Sequence, residues 1–363
     1  MVKKSLAFVI IWIGFVLFAS AQNYSLTKED ISVFQKELFE ELKTAEETLD
    51  TRFGYRTRVV GFNGPTAVVG DLHGDLEVFT AIKNRLSSDL DSNKIKKVVF
   101  LGDIMDRGEN SAKTLLELLK FFNKYKGKIY ILRGNHETMG LFDVEGDSPY
   151  LAINDPYFKG IDSDTFKKFF DKLPFAAVIN GHTLAVHGGI PHRKFWNDFY
   201  GREKIPEDSP DFDVIHSTIW SDYAPKGDAK TMNRGRARFE DDYRMVYYNE
   251  ACVREFFEHC EKFSVGKDYH EIIHGLKYLI RGHQPYLGSF FQSPQKTVTT
   301  VFSALENQGE WLMRQGAKVA LVPVEDAPPE EYFAVREEFD PEIERSVAVP
   351  LISKSPFIGL RRV

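Results

Sequence analysis

Cysteine is scarce in this sequence, with two among 363 residues, Cys252 and Cys260. Both fall in a stretch with helical spacing, 247–263, and eight residues of helix rise about 12 Å. A disulfide requires Cα atoms within about 7 Å of each other. We therefore predict that the two thiols are not joined. The sequence also lacks the C-x-x-C pattern that marks thiol redox and zinc sites.

A basic charge excess and repeated apolar spans are also missing. The formal net charge is −6, so the electrostatic footprint of nucleic-acid binding is absent and we predict no nucleic-acid partner. One long unbroken apolar run occurs, at residues 6–18, which excludes a protein with several membrane spans. With 43% hydrophobic and 28% charged residues, the composition is typical of a soluble globular chain.

The N-terminus has the three parts of a secretory signal peptide. Lys3 and Lys4 precede the apolar run, and an Ala-Ser-Ala cleavage pattern ends at Ala21. We predict cleavage after Ala21, a secreted or periplasmic protein, and no stable membrane insertion afterwards. The alternative is an uncleaved anchor, because residues 5–21 are just long enough to span a membrane.

The remaining chain divides into three predicted parts. Residues 22–65 form an N-terminal helix and connector, with a capping-box pattern at Thr27 and Asp30 and a glycine-containing connection over 52–65. Residues 66–325 form the main α/β domain. Residues 326–363 form a C-terminal extension that is predicted to follow the surface or to be partly disordered.

Short β-branched runs alternate with helical patterns in the main domain. The predicted strands that end in a polar motif are 66–70, 97–102, 128–133, 183–186 and 278–281, and helices are predicted over 76–90 and 112–125. This alternation predicts βαβ units in an α/β fold. Ligands bind at the carboxyl ends of the strands in such sheets, where these polar motifs lie.

Six polar side chains follow these strands: Asp71, His73, Asp103, Asn135, His187 and His283. Each motif alone is commonly a turn or a helix cap, so none is specific by itself. Five such segments in order, each at a strand end, predict one shared site instead. Carboxylate, amide and imidazole groups together suit manganese, iron or zinc.

The motifs GDLHG, GDIMDRG, RGNHE, HGG, IWSD, RGHQ and FSA follow one another between residues 70 and 304. Because these motifs occur in this order, the chain resembles the phosphoprotein phosphatase branch of the metallophosphoesterases over roughly residues 66–324. The resemblance implies a layered α/β/β/α sandwich with a metal site at the carboxyl ends of the strands. It also implies that residues 66–325 are the catalytic domain.

The same resemblance implies a two-metal site and a hydrolytic mechanism. One divalent ion is assigned to Asp71, His73 and Asp103, and the other to Asp103 as bridge, Asn135, His187 and His283. Manganese is favoured, with iron and zinc as alternatives. A metal-bridging hydroxide would attack phosphorus, His136 would act as general acid oriented by Asp106, and Arg107 and Arg234 would clamp the phosphate.

Two departures from the family pattern concern the substrate. The family's serine/threonine enzymes carry Pro-Asn-Tyr after the FSA motif, whereas this chain has Leu305-Glu306-Asn307, and Tyr223 replaces the proline after IWSD. The leading hypothesis is a phosphoserine/phosphothreonine phosphatase acting on phosphoproteins. The alternative is a broader phosphoesterase for phosphotyrosine, nucleotides or dinucleoside polyphosphates. A third hypothesis, a degenerate phosphate-binding scaffold, is disfavoured by the complete ligand set.

Overall fold

A computed structural model describes residues 26–53, 59–138, 155–161, 163–199, 211–224, 232–233, 246–263, 275–305 and 315–335. The predicted signal peptide, Arg234 and Asn307 lie outside the described residues. The fold is the layered α/β/β/α sandwich that the sequence predicted.

Six α-helices are formed by the described residues. They are α1 (Lys28–Phe53), α2 (Leu76–Asp91), α3 (Ser111–Lys124), α4 (Ser163–Lys172), α5 (Asp211–Ile219) and α6 (Glu250–Phe263). The predicted capping box starts α1: the Thr27 hydroxyl accepts the Asp30 amide at 3.1 Å, and the Asp30 carboxylate accepts the Thr27 amide at 3.0 Å. These two reciprocal hydrogen bonds give partners to two backbone amides that have none within the first turn of the helix.

The strands form two large sheets and one small one. The five-stranded sheet has the order β14-β13-β2-β3-β4, the six-stranded sheet β1-β5-β6-β10-β12-β11, and the small sheet β7-β9-β8. Their bounds are β1 Val59–Phe62, β2 Thr66–Val69, β3 Lys97–Phe100, β4 Ile129–Ile131, β5 Ala176–Ile179, β6 Thr183–Val186, β7 Asp222–Tyr223, β8 Met232–Asn233, β9 Val246–Tyr248, β10 Tyr278–Arg281, β11 Phe290–Gln292, β12 Val298–Val301, β13 Ala317–Val322 and β14 Glu330–Val335.

Three apolar layers hold the sandwich together. Between the two large sheets, residues such as Val68 and Val99 pack against Ala177 and Ile280 from the opposite sheet. The outer face of the five-stranded sheet is covered by α1–α4, and the outer face of the six-stranded sheet by α5 and α6. Strands buried on both faces account for the nearly unbroken apolar runs in their sequences.

The strand directions bring the predicted ligands to one edge. Strands β2, β3 and β4 are parallel, as are β6, β10 and β12, so their carboxyl ends point the same way within each sheet. Between β5 and β6, which are antiparallel, Asn180 and Gly181 both take positive φ at the predicted hairpin turn.

Two edge strands lie outside the predicted bounds of the main domain. Residues 59–62 were predicted to be part of a connection, but they form β1, which pairs in parallel with β5. Residues 330–335 were placed in a surface or disordered extension, but they form β14, which pairs antiparallel with β13. Both corrections have one cause: a short strand at a sheet edge is defined by its partner more than by its own sequence.

Cys252 and Cys260 both lie in α6, where they are buried and not joined by a disulfide, as the helical spacing predicted. Among the described helices, none has both the length and the apolar character needed to cross a membrane.

Candidate active site

The six predicted ligands converge at the carboxyl ends of the central strands. Asp71 follows β2, Asp103 follows β3 and Asn135 follows β4 in one sheet, while His187 and His283 follow β6 and β10 in the other. Asp71, His73, Asp103, Asn135 and His187 are at most 1% exposed. The two sheets therefore contribute ligands to one buried centre.

Asp103 lies in the middle of this centre. Its Oδ2 atom is 3.2 Å from His187 Nε2, 3.7 Å from His73 Nε2 and 3.8 Å from His136 Nε2. Asp71 Oδ2 is 3.7 Å from the same His73 nitrogen. One carboxylate oxygen thus faces three imidazoles from three different loops.

Asn135 and His283 complete the side of the site around His187. His187 Nε2 is 2.9 Å from Asn135 Oδ1 and 3.2 Å from His283 Nδ1. The His283 amide donates to both Asp71 oxygens, at 2.9 and 3.2 Å, which joins the two halves of the site.

The protonation pattern of the histidines fits a bound cation. Nδ1 of His73 lies 3.1 Å from the Met105 carbonyl and Nδ1 of His187 lies 3.0 Å from the Leu101 carbonyl. A carbonyl only accepts, so both Nδ1 atoms carry a proton, and Nε2 of the neutral His73 presents a lone pair toward Asp103. His73 Nε2 and Asp103 Oδ2 are buried without a hydrogen-bond partner among the described residues. Lone pairs facing a carboxylate in a buried site are stabilised by a metal ion between them.

Donor atoms cluster in two groups around Asp103. His73, Asp103 and His136 supply one set of three atoms within 4.8 Å of one another, and Asp103, His187 and His283 supply a second set. Asp103 belongs to both sets, as the predicted bridging ligand must, whereas the first set contains His136 in place of the predicted ligand Asp71. The residues present therefore fit two divalent ions.

His136 is held by a carboxylate beside this centre. Its Nδ1 atom lies 2.8 Å from Asp106 Oδ2, and its Nε2 atom lies 3.3 Å from a guanidinium nitrogen of Arg107. Arg107 is exposed, whereas His136 and Asp106 are buried. The Nε2 face of His136 and the Arg107 guanidinium thus meet at the rim, where a substrate oxygen can reach both.

Electrostatics differ among the histidines. Burial, followed by the neighbouring His136, holds the pKa of His73 well below its usual range, which keeps His73 neutral. Burial also opposes charge on His136, but the carboxylates of Asp103 and Asp106 outweigh it and raise the pKa of His136. His73 is therefore suited to ligate a metal and His136 to carry a proton.

The backbone of the site adopts conformations that most residues avoid. His73, Asp103 and His283 have φ of 45°, 54° and 71° without being glycine. A Cβ on Gly102 would collide with the Gly134 backbone, and a Cβ on Gly282 would collide with the Asp71 carboxylate. These glycines permit the close approach of loops that the centre requires.

Glu137 joins the two loops that carry Asp103 and Asn135. Its carboxylate accepts the backbone amides of Asp103, Ile104 and Gly134, each at 2.8 Å. Burial, with the Asp103 charge in addition, raises the pKa of Glu137 to about 7. The side chain fixes the loop after β3 against the loop after β4.

Asp222 and Arg281 make further contacts around the loops that carry His187 and His283. Asp222 Oδ1 lies 3.5 Å from His283 Nε2, and Asp222 is buried. Arg281, fully buried, contacts the Gly188 carbonyl and the Gln284 side chain, so it links the loops that carry His187 and His283. Their positions inside the IWSD and RGHQ motifs were the only sequence signal.

Tyr223 lies away from the rim of the site, and Arg234 is not among the described residues. Tyr223, which replaces a family proline, is 2% exposed and packs against Tyr248, so it does not line the rim. Arg234 lies outside the described residues, and its role as second phosphate clamp stays a prediction.

The chain matches the family described as calcineurin-like phosphoesterase over residues 64–287, well over half of its length. It therefore belongs to the calcineurin-like phosphoesterase family. The match covers β2 through β10 and contains all six predicted ligands, and the family assignment made from the motifs is confirmed.

Within this family, the chain is similar in sequence to proteins named serine/threonine-protein phosphatases. The chain is 35% identical over 147 residues to the serine/threonine-protein phosphatase 6 catalytic subunit of Caenorhabditis elegans, covering 39% of this chain and 41% of that protein. It is 26% identical over 253 residues to serine/threonine-protein phosphatase C23G10.1 of the same organism, covering 69% and 50%. The chain thus spans about half the length of these relatives.

A comparable fold is found among solved structures. A protein serine/threonine phosphatase from Saccharomyces cerevisiae, with similarity to human phosphatase PP5, superposes with a TM-score of 0.53 at 19% identity. The superposition covers 84% of this chain and 91% of that one. It supports the shared fold.

Proposed function

We propose that this protein is a metal-dependent phosphoprotein phosphatase that hydrolyses phosphoserine and phosphothreonine monoesters. The observation that carries the proposal is the pairing of His136 with Asp106 at 2.8 Å, directly beside the ligand cluster around Asp103. A metal-binding scaffold needs the cluster but has no use for a buried, carboxylate-oriented proton donor at its edge.

Two divalent ions, held by Asp71, His73, Asp103, Asn135, His187 and His283, would supply Lewis acidity toward phosphoryl oxygens and acidify the attacking water. We favour manganese, because oxygen and imidazole donors predominate and thiolates are absent from the ligand set, with iron and zinc as alternatives. The ligand assignment rests on the distances around Asp103 and on the buried, unpaired Nε2 atom of His73.

His136 has the geometry of a general acid. Asp106 accepts from Nδ1 and favours the charged imidazolium, so Nε2 can donate its proton to the leaving alkoxide. Arg107 lies 3.3 Å from that nitrogen and offers a planar fork to phosphoryl oxygens. Arg234 is proposed as the second clamp from its motif position alone.

The relatives support phosphoserine and phosphothreonine as substrates, whereas one departure in the sequence favours a broader substrate range. The named relatives are serine/threonine-protein phosphatases. The missing Pro-Asn-Tyr after Ala304 favours a more open and polar rim, so measurable phosphotyrosine hydrolysis should accompany phosphoserine and phosphothreonine hydrolysis. A phosphoprotein or phosphopeptide is the proposed substrate partner.

We propose a secreted or periplasmic location, because residues 1–21 combine the basic, apolar and cleavage parts of a signal peptide. Phosphoproteins in that compartment would then be the targets, and the partners of cytosolic phosphatases would not be available.

A substrate panel tests the activity. Purified protein is assayed with phosphoserine, phosphothreonine and phosphotyrosine peptides, a nucleotide, a dinucleoside polyphosphate and p-nitrophenyl phosphate, before and after chelation and manganese add-back. We expect phosphopeptide turnover that chelation abolishes and manganese restores. Hydrolysis confined to dinucleoside polyphosphates would replace the proposal with the broader phosphoesterase, and no turnover after add-back of any metal would favour the scaffold hypothesis.

A further inference from the structure

Helix α3 begins directly after the loop that carries Asp106 and Arg107. The side chain of its N-cap residue does not cap the helix. Asn110 makes no side-chain cap hydrogen bond. Instead Asp155, 43 residues along the chain, accepts the Ala112 amide with its Oδ2 atom at 2.9 Å. A carboxylate at this position accepts a hydrogen bond from an amide that has no partner within the helix. Its negative charge also interacts favourably with the positive end of the helix dipole. A residue from another segment therefore supplies the cap.

The loop before α3 needs such support because it is strained. Asp106 and Arg107 have φ of 69° and 71°, and neither is glycine. Such conformations persist only where surrounding contacts fix them. The Asp106 amide donates to the hydroxyl of Ser111 at 3.0 Å, and Ser111 is the first residue of α3. The end of the helix that Asp155 caps is thus the end that holds Asp106.

Helix α1 in turn holds the turn that carries Asp155. Gln35 Nε2 donates to the carbonyls of Tyr157 and Lys159 at 2.9 and 3.2 Å, and the rings of Phe34 and Tyr157 lie 4.2 Å apart. Within the turn, Asp155 Oδ1 accepts the Tyr157 amide at 3.0 Å. A continuous set of contacts therefore runs from α1 through Asp155 to α3.

We propose that Asp155 is a positioning residue for the Asp106–His136 pair, and that helix α1 holds Asp155 in place. Helix α1 ends before residue 64, where the family match begins, so this support comes from outside the matched region. The kinetic consequence rests on the proposed function, whereas the structural link can be tested without turnover.

Hydrogen exchange on the metal-free protein tests the link directly. Asp155→Ala should speed exchange of the Asp106 and Ala112 amides by about 2- to 30-fold, the range expected for a lost helix cap. Asp155→Asn keeps an acceptor oxygen and should give a smaller increase. Gln35→Glu, which removes the donor to the turn while keeping its shape, should also speed both amides.

Asp326→Ala is the matched control, because it deletes an exposed carboxylate that pairs with Lys277 instead. It should leave both amides unchanged. Unchanged exchange at Asp106 and Ala112 in Asp155→Ala would overturn the proposal. An equal increase at Ala320 of β13 would do the same, since it would reflect general destabilisation.

Leaving-group dependence tests the kinetic consequence in the metal-loaded enzyme. Asp155→Ala should lower kcat for an alkyl phosphomonoester several-fold at near-constant KM, with a smaller decrease for p-nitrophenyl phosphate, whose leaving group needs little protonation. Equal decreases for both substrates would argue against positioning of the general acid. If the wild type turns over no substrate, the proposed function fails, while the exchange result still decides the role of Asp155.

Discussion

At the scale of single residues, Asp103 carries the most constraints in the site. Its Oδ2 atom faces His187, His73 and His136, while its Oδ1 atom accepts the His136 amide at 3.0 Å. Its own amide donates to Glu137, and its φ of 54° lies in the left-handed region that favours glycine. No other residue type offers a charge, two acceptors and this short reach together.

Asp103→Asn should therefore remove activity and at least one metal ion. The substitution keeps the shape but deletes the charge that both donor groups share. Elemental analysis of the purified variant measures metal content, and a phosphopeptide assay measures turnover. Asp326→Asn, on the surface, should keep both ions. Two full-occupancy ions in an active Asp103→Asn protein would contradict the bridging role.

His136→Ala should separate acid catalysis from metal binding. We expect turnover of alkyl phosphomonoesters to fall by about 10²–10⁴, the usual contribution of a general acid, with both ions retained. The decrease should shrink for p-nitrophenyl phosphate. His259→Ala, which removes a histidine that pairs with Asn197 elsewhere, serves as the control. An equal decrease on both substrates, or loss of metal, would show that His136 acts as a ligand.

Arg107→Lys should lower activity on every phosphomonoester while metal content stays unchanged. Lysine keeps the charge but lacks the planar pair of donors that matches two phosphoryl oxygens. Steady-state kinetics on a phosphopeptide and on p-nitrophenyl phosphate measure the effect. Arg193→Lys, an exposed arginine paired with Glu255, should be neutral. A loss on one substrate only would place Arg107 in substrate selection instead.

At the scale of elements, the edge strand β14 is attached to helix α2 through one polar cluster. The Tyr332 hydroxyl donates to Asp89 Oδ2 at 2.8 Å, and Arg85 Nε donates to the same oxygen at 2.9 Å. Burial, and then the hydrogen bond to Asp89, raise the pKa of Tyr332 to about 12. The cluster therefore ties the edge strand to a helix on the outer face of its sheet.

Tyr332→Phe should lower the free energy of unfolding by about 1 kcal/mol at neutral pH, the typical net value of one hydrogen bond. Burial disfavours the Asp89 charge, but the Tyr332 hydroxyl and Arg85 outweigh it and lower the pKa of Asp89 below 3.8. The contribution is therefore complete above that ordinary value and is lost as pH falls through the lowered pKa.

Denaturant unfolding of wild type and Tyr332→Phe at pH 7 and near pH 3 checks this prediction. The difference between the two proteins should shrink at the lower pH. Tyr247→Phe, at an exposed position, should change little at either pH. A difference of equal size at both pH values would argue that Tyr332 stabilises the protein by packing alone.

At the scale of the whole molecule, the predicted signal peptide places the start of the mature protein at a specific residue. We expect secreted material to start at Gln22, because Ala19 and Ala21 suit signal peptidase. N-terminal sequencing or intact mass measures the start. Ala21→Lys should block cleavage and retain residues 1–21. Their retention in the unaltered protein would indicate an anchor instead.

The local units of the fold, and the kinds of polar side chain at the strand ends, could be predicted from the sequence alone. The strands that precede Asp71, Asp103 and His187 are apolar runs, so they can be recognised as strands without knowing which strand they pair with. Each polar motif follows its strand within a few residues. The capping box at Thr27 is equally local. Their order along the chain was enough to indicate the family, the layered sandwich and the chemistry of the site.

Contacts between groups that are far apart in the chain became visible only in the folded protein. Strands β1 and β14 exist because β5 and β13 offer them an edge, and a short edge strand carries little signal of its own. Asp155 caps α3 and Arg281 joins two ligand loops through contacts between segments far apart in the chain. A hydrogen bond of that kind depends on where the backbone returns, which local residue patterns do not encode.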